Sequence, residues 1–196
     1  MDVSSEVSYV TLAGTCLGCI AVTNKDDVFF LATIAITLAY ALAGALKTAK
    51  VGDNNLQAQF VKAHEYLKLL VPLLVLPALD TAIWMRYNVV GKMYGLLHAA
   101  AGILMSAAFL VQSMDEQFKD ALVGVEGLSL LAAGISKENY YAMYADALFI
   151  AAYYLAYHYD GPINLPISKD DLYQYLLAGF MFFAMKAANA PKCPLH

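Results

Sequence analysis

Charged residues are scarce in this sequence. Asp, Glu, Lys and Arg together make up 14% of its 196 residues, whereas a soluble domain carries roughly 25%. Apolar residues make up 61%, and a soluble fold of this length leaves too much of its chain at the surface to hide so many. The composition therefore argues against an ordinary soluble protein and favours one that is solvated by lipid.

Basic clusters and cysteine frameworks are also missing. The net charge is −4 without a basic run, so nucleic acid is not an expected partner. Three cysteines are too few for a disulfide framework, and the C-x-x-C of Cys16 and Cys19 lies in an apolar segment that is not followed by a second pair. We interpret these two as small apolar residues of a helix. No His/Cys/Asp set with known metal spacing is present, so no metal is expected.

Long apolar stretches are what the sequence does contain. About 20 residues of helix cross a hydrocarbon core of ~30 Å, and five stretches approach that length: Val28–Leu46, Leu67–Trp84, Met93–Met114, Asn139–His158 and Asp171–Asn189. Val7–Val22 is a sixth, richer in small and polar residues. Ala121–Ile135 is shorter and contains Glu126, so it either crosses or forms an interfacial or re-entrant segment. The sequence predicts one all-α domain over residues 1–196, a polytopic transmembrane helical bundle of five to seven spans.

Three of these stretches begin with the same kind of polar sequence. Asn24–Asp27, Ser136–Asn139 and Ser168–Asp171 each combine Asn or Ser with acidic residues. Such side chains accept hydrogen bonds from free backbone N–H groups and complement the positive end of the helix dipole. We therefore expect helix starts at these three places.

Small residues predict where the helices approach each other closely, because packing in lipid relies on them. Ala35, Ala39 and Ala43 form one such stripe, and Gly102 and Ser106 form another. Two prolines inside the Leu67–Trp84 stretch are expected to kink or loosen that helix.

Ionisable side chains within predicted spans are functional candidates, because burying them in lipid is costly. Asp80 lies near the end of its span, and we expect it to pair with Arg86 at the interface. Asp146 is the best candidate for a buried carboxylate, either as a functional group or as a hydrogen-bond partner of a neighbouring helix. For His98, a hydrogen bond between helices is the preferred interpretation, and ligation of a pigment or haem is the alternative. Glu126 matters only if its segment inserts.

Two short motifs resemble the MAPEG proteins, membrane enzymes of eicosanoid and glutathione metabolism. The run Gln59–His64 (QFVKAH) is followed by Pro72, and Gly95–Ala99 (GLLHA) lies in the next helix. The resemblance covers residues 52–102, about a quarter of the chain.

This resemblance implies a helical membrane fold and a glutathione or lipid site near the bilayer face, lined by Lys62, His64 and Tyr66. The chain departs from the family at three positions. The family's asparagine falls at Tyr66, its glutamate at Leu69 and its later arginine at Gly95. In the enzymes, these polar residues help to bind glutathione.

Three functions are consistent with these features. The favoured one is an accessory or structural subunit of a larger membrane complex, which contacts lipid or pigment and has no catalysis of its own. The second is a MAPEG-like enzyme of glutathione or lipid metabolism. The third is a small transporter or channel, with Asp146, Glu126 and His98 along a polar path.

The expected surroundings follow from the same features. The partners would be the lipid bilayer and other membrane-protein subunits, and lipid would be the main bound molecule. Glutathione, and a pigment held by His98, are the other candidate cofactors. We expect a multi-pass integral membrane protein and favour an organellar membrane as its location.

Overall fold

The computed structural model describes residues 3–111, 115–163 and 165–191, and this part of the chain contains helices and no strand. The seven helices are α1 (Val3–Val22), α2 (Val28–Thr48), α3 (Asn54–Tyr87), α4 (Lys92–Leu110), α5 (Glu116–Ser136), α6 (Tyr140–Tyr157) and α7 (Lys169–Asn189). The all-α prediction is confirmed, and every predicted apolar stretch lies in a helix. The last predicted residues of the Met93–Met114 stretch, 112–114, lie outside the described residues.

The helix starts confirm the capping prediction. Asp27 accepts a hydrogen bond from the backbone of Phe30, and Asn139 accepts one from the backbone of Ala142. Ser168 opens α7 with a full capping box, in which Asp171 bonds back to the backbone of Ser168. These caps satisfy N–H groups that no helical carbonyl can reach.

The helices pack as an up-and-down bundle in which short loops make consecutive helices antiparallel. α1 packs on α2 and on α7, so the first and last helices are neighbours. α3 lies at the centre and contacts α2, α4, α5, α6 and α7. Between Val71 and Ile83, Leu74 alone is not buried, because this stretch has neighbours on all sides. We call the side of the bundle where α1 begins the N-terminal side, and the other the opposite side.

α4 lies at the edge of the bundle and packs mainly on α3. Its buried residues are all small, namely Gly95, Gly102 and Ser106, which confirms that part of the predicted packing stripe. The α3 helix continues through Pro72 and Pro77.

α2 shows that small residues do not always mark the packing face. Ala35 and Ala39 are exposed and Ala43 is buried, so the predicted alanine stripe is wrong as a contact surface. The buried face instead includes Thr37, Tyr40 and Gly44. Larger side chains fill the space between α2 and its neighbours there, and Gly44 admits the ring of Tyr9, a residue of α1.

Four helices, α1 to α4, have stretches that are long and apolar enough to cross a membrane: residues Ser5–Val22, Val28–Thr48, Asn54–Tyr87 and Lys92–Leu110. α5 is a continuous helix of 21 residues. Within α1, Cys16 and Cys19 are buried free thiols. Cys193 lies outside the described residues.

Candidate functional site

Asp80, on the central helix α3, is completely buried, with 0% of its surface exposed. Within the described parts of the chain, neither of its carboxylate oxygens has a hydrogen-bond partner. The predicted interfacial pair with Arg86 is wrong, because the Arg86 guanidinium instead donates to the carbonyl of Ala190, at 3.3 Å. A buried carboxylate without a hydrogen bond is costly, so the surroundings of Asp80 require an explanation.

His98, on α4, is the ionisable group that faces Asp80. Its Nδ1 atom lies 3.9 Å from Oδ2 of Asp80 and 2.7 Å from Oε2 of Glu126. The short contact with Glu126 joins α4 to α5 and confirms the predicted helix–helix hydrogen bond. The second ring nitrogen, Nε2, lies 3.3 Å from the hydroxyl oxygen of Ser129, so both nitrogens of the ring have a partner.

Glu126 reaches this place because α5 is inserted in the bundle. Lys119, Val123, Glu126, Leu130 and Ala133 are all buried, and their spacing of three and four residues puts them on one face of the helix. That face turns toward α3 and α6. Glu126 is 2% exposed, and is therefore one of the buried acids of the bundle.

Asp80, His98 and Glu126 together form what we call the acid–histidine cluster. Each offers one atom that can bind a metal ion, and these atoms all lie within 4.8 Å of one another. The three residues come from three different helices, far apart in sequence, so none of the local spacings that identify metal sites could have revealed them. The structure thus brings together three of the four buried polar candidates.

Asp146, the fourth candidate, lies beside the cluster on α6. It is 7% exposed, which confirms that it is a buried carboxylate, and its Oδ1 atom has no hydrogen-bond partner in the described residues. That atom lies 3.1 Å from the position of a Cβ atom built on Gly127, the residue after Glu126. The missing side chain of Gly127 therefore allows Asp146 to approach α5 next to the cluster.

The cluster lies well inside the bundle but nearer to its opposite side. Asp80 and His98 are each about 10 Å along the helix axis from the end of α3 and the start of α4, at about 1.5 Å per residue. A cavity of about 510 Å³ lies between those same helix ends and the start of α2. Its lining residues include Asn24, Asp26, Asp27, Arg86 and Lys92.

The three residues of the MAPEG-like motif do not meet in a site. Lys62 and Tyr66 are exposed, whereas His64 is buried. The Nε2 atom of His64 lies 2.8 Å from the hydroxyl of Tyr9, and its Nδ1 atom lies 3.3 Å from Nζ of Lys47. His64 thereby joins α1, α2 and α3 near the N-terminal side.

A further polar cluster, which the sequence did not single out, joins the start of α5 to the end of α6. The hydroxyl of Tyr153 donates to Asp120, and Nε2 of His158 lies 3.2 Å from the same carboxylate. The Lys119 ammonium is buried and lies 4.0 Å from the centre of the Tyr157 ring. Tyr153 is therefore buried against α5.

Comparisons with known proteins add no relative to these observations: no protein-family model matches this chain, and no curated protein or solved structure does. The chemistry of the acid–histidine cluster is therefore argued from its own atoms. Two buried carboxyl groups and one imidazole, with a third carboxyl group beside them, offer oxygen and nitrogen atoms that can bind a proton or a metal cation.

Proposed function

We propose that this chain is a small multi-pass membrane transporter or channel that moves a cation through the acid–histidine cluster. The observation that carries the proposal is the buried Asp80 carboxylate, which has no hydrogen bond from the described residues and faces His98 and Glu126. A charged side chain at the centre of a membrane helix costs at least about 2.5–3.5 kcal/mol, and such residues mark ion pathways. A cation bound at the cluster would offset this cost.

The proposed topology has seven crossings. α1 to α4 are apolar and long enough to cross, and α5, α6 and α7 pack beside them. The last three helices have 21, 18 and 21 residues, and their lengths of about 27–32 Å match a hydrocarbon core of ~30 Å. In this arrangement the protein is integral to a membrane, for which an organellar membrane is favoured, and lipid covers its outer surface.

The cavity between α2, α3 and α4 supports access from the opposite side. It lies at the ends of the two helices that carry Asp80 and His98, and its polar lining suits water and ions. From the cluster toward the N-terminal side, the α5 face continues through buried Val123 to Lys119. A cation that crosses would have to pass Val123 and the Lys119 ammonium, which suits a gated path.

The test is cation flux in proteoliposomes that contain the purified protein. Proton movement is followed with an internal pH dye, and metal uptake with an internal metal indicator, under an imposed gradient. We expect flux that is lost in Asp80→Asn and Glu126→Gln and kept in Asp160→Asn, a change of an exposed aspartate in the α6–α7 loop. Absence of flux for protons and for divalent cations, in vesicles that an ionophore shows to be tight, would overturn the proposal.

A second candidate function, a subunit of a larger complex, is favoured by the outer face of α4. Large apolar side chains on this helix are exposed, among them Met93, Leu97, Ile103 and Leu104, each more than 60% exposed. Another membrane protein could cover them in place of lipid. Purification in mild detergent should then give a particle much larger than 21 kDa that contains other chains, and a stable isolated monomer would contradict this function.

The MAPEG-like activity stays a prediction, and the positions of its residues give it less support. In the enzymes the site must admit glutathione, whereas here both ring nitrogens of His64 already contact other side chains, those of Tyr9 and Lys47. Calorimetry with glutathione decides the matter. Binding that is lost in His64→Ala would support the activity, and no binding at millimolar glutathione would remove it.

A further inference from the structure

We propose that the acid–histidine cluster binds one divalent transition-metal ion of the manganese, iron, cobalt or zinc class. Asp80 and Glu126 would each supply a carboxylate oxygen, and His98 would supply its Nδ1 atom. This inference rests on the proposed function, since it names the cation, and its test separates the two.

The donor atoms indicate the class of metal. Two carboxylate oxygens and one imidazole nitrogen suit divalent first-row transition metals, whereas Mg²⁺ and Ca²⁺ prefer sites made of oxygen alone. The cluster includes no sulfur, the donor that soft ions such as Cu⁺ prefer. Three protein ligands also leave a coordination position open for a water molecule or a substrate, as in catalytic zinc sites.

The distances are close to those of a bound site. Ligand atoms around a tetrahedral ion lie about 3.4 Å apart when each is about 2.1 Å from the metal. Here Nδ1 of His98 is 2.7 Å from Glu126 and 3.9 Å from Asp80. Binding therefore requires small side-chain movements and no rearrangement of the helices.

The second nitrogen of His98 strengthens the assignment. A histidine that binds a metal through one nitrogen usually donates the N–H of the other to a nearby acceptor, which fixes the orientation of the ring. The hydroxyl oxygen of Ser129 lies 3.3 Å from Nε2 and can take this role. The ring is thus held with Nδ1 directed toward both carboxylates.

The unpartnered carboxyl group of Asp80 is the independent sign of a ligand. Asp80 is completely buried and its two oxygens lack hydrogen-bond partners in the described chain. A cation at the cluster would bind a carboxyl oxygen of Asp80 that has no other partner among the described residues. Asp146, beside Gly127, places a third carboxyl group next to the cluster, and its ionised form would favour a divalent over a monovalent ion.

The experiment uses Mn²⁺ as the probe, because Mn²⁺ binds thiolates weakly and the chain contains cysteines. Full-length protein in detergent is freed of metal with a chelator and titrated while free Mn²⁺ is counted by electron paramagnetic resonance. We expect one Mn²⁺ per chain, with Kd raised at least about tenfold in Asp80→Asn, His98→Gln and Glu126→Gln. The matched controls, Asp160→Asn and His158→Asn, should leave Kd unchanged.

A measurement on the unmodified protein protects the test against variants that fail to fold. Pulsed resonance of bound Mn²⁺ should show coupling to an imidazole nitrogen, which His98→Gln removes. Absence of saturable binding at millimolar Mn²⁺, or bound Mn²⁺ without nitrogen coupling, would overturn the metal site. Proton flux without metal binding would support the transport function and contradict the metal site. Stoichiometric metal binding without any flux would support the metal site and contradict the transport function.

Discussion

A Cβ atom placed on Gly102 in α4 would lie 2.6 Å from the backbone carbonyl oxygen of Leu73 in α3. This carbonyl has no helical partner, because the residue four positions later is Pro77, which has no N–H group. The absence of a side chain at Gly102 lets α4 cover the free carbonyl. The same contact positions α4, and with it His98.

The first prediction concerns this contact. Gly102→Ala should destabilise the protein by about 1–3 kcal/mol, because neither the backbone nor the Pro77 ring can move away cheaply. Thermal or denaturant unfolding in detergent measures the effect. Gly124→Ala is the matched control, since a Cβ atom there would meet nothing within 4 Å. Equal stability of the two variants would contradict the tight α3–α4 contact.

The second prediction concerns the contact between α1 and α2. A Cβ atom on Gly44 would overlap the Tyr9 ring, and Tyr9 is held by its hydrogen bond to His64. Gly44→Ala should therefore lower stability by about 1–3 kcal/mol and expose Tyr9 to solvent quenchers of its fluorescence. Gly14→Ala, in open space on α1, should leave both properties nearly unchanged.

The third prediction compares two buried aspartates. Within the described chain Asp80 has no hydrogen bond, whereas Asp171 accepts one from Ser8 at 2.8 Å and one from Ser168 at 2.7 Å. Asp80→Asn should leave stability in the presence of chelator unchanged or higher, because it removes a buried carboxyl group that gains no hydrogen bond from the described residues. Asp171→Asn should lower stability by about 1–3 kcal/mol. Loss of stability in Asp80→Asn as large as in Asp171→Asn would mean that Asp80 is a structural residue.

The fourth prediction tests the seven-crossing topology by labelling single cysteines with a membrane-impermeant maleimide. Val51→Cys and Asp160→Cys should be labelled from one side of the membrane, and Val90→Cys from the other. The native Cys16 and Cys19 are buried and should stay unlabelled in intact protein, and Cys193 is replaced by Ser. Labelling of residues 51 and 90 from the same side would contradict the proposed crossings.

The helices were predictable because their length and apolar composition can be seen directly in the sequence. Apolar stretches of about 20 residues and the capping residues Asp27, Asn139 and Ser168 marked the elements without any knowledge of their contacts. The rotation of each helix was harder to predict. The alanines at 35 and 39 looked like a contact stripe, but the size of Thr37 and Tyr40 decides which face of α2 fills the space beside its neighbours.

The acid–histidine cluster could be predicted residue by residue but not as a unit. Each member was a candidate because it is ionisable within an apolar stretch. Whether the three side chains lie close together depends on the rotation of α3, α4 and α5 about their axes. The spacing of these residues along the chain does not determine that rotation. Asp80 was assigned to Arg86 because the two are close in sequence, whereas in the bundle Arg86 reaches the carbonyl of Ala190.

The peripheral position of α4 has a geometric consequence for the cluster. The two acids stand on α3 and α5, which pack on each other and on further helices, while the imidazole stands on a helix that rests mainly on α3. A sideways shift of α4 would withdraw His98 from both carboxylates at once and leave the spacing of the acids unaltered. Metal binding at the cluster and the packing of α4 on the bundle would therefore be coupled to each other.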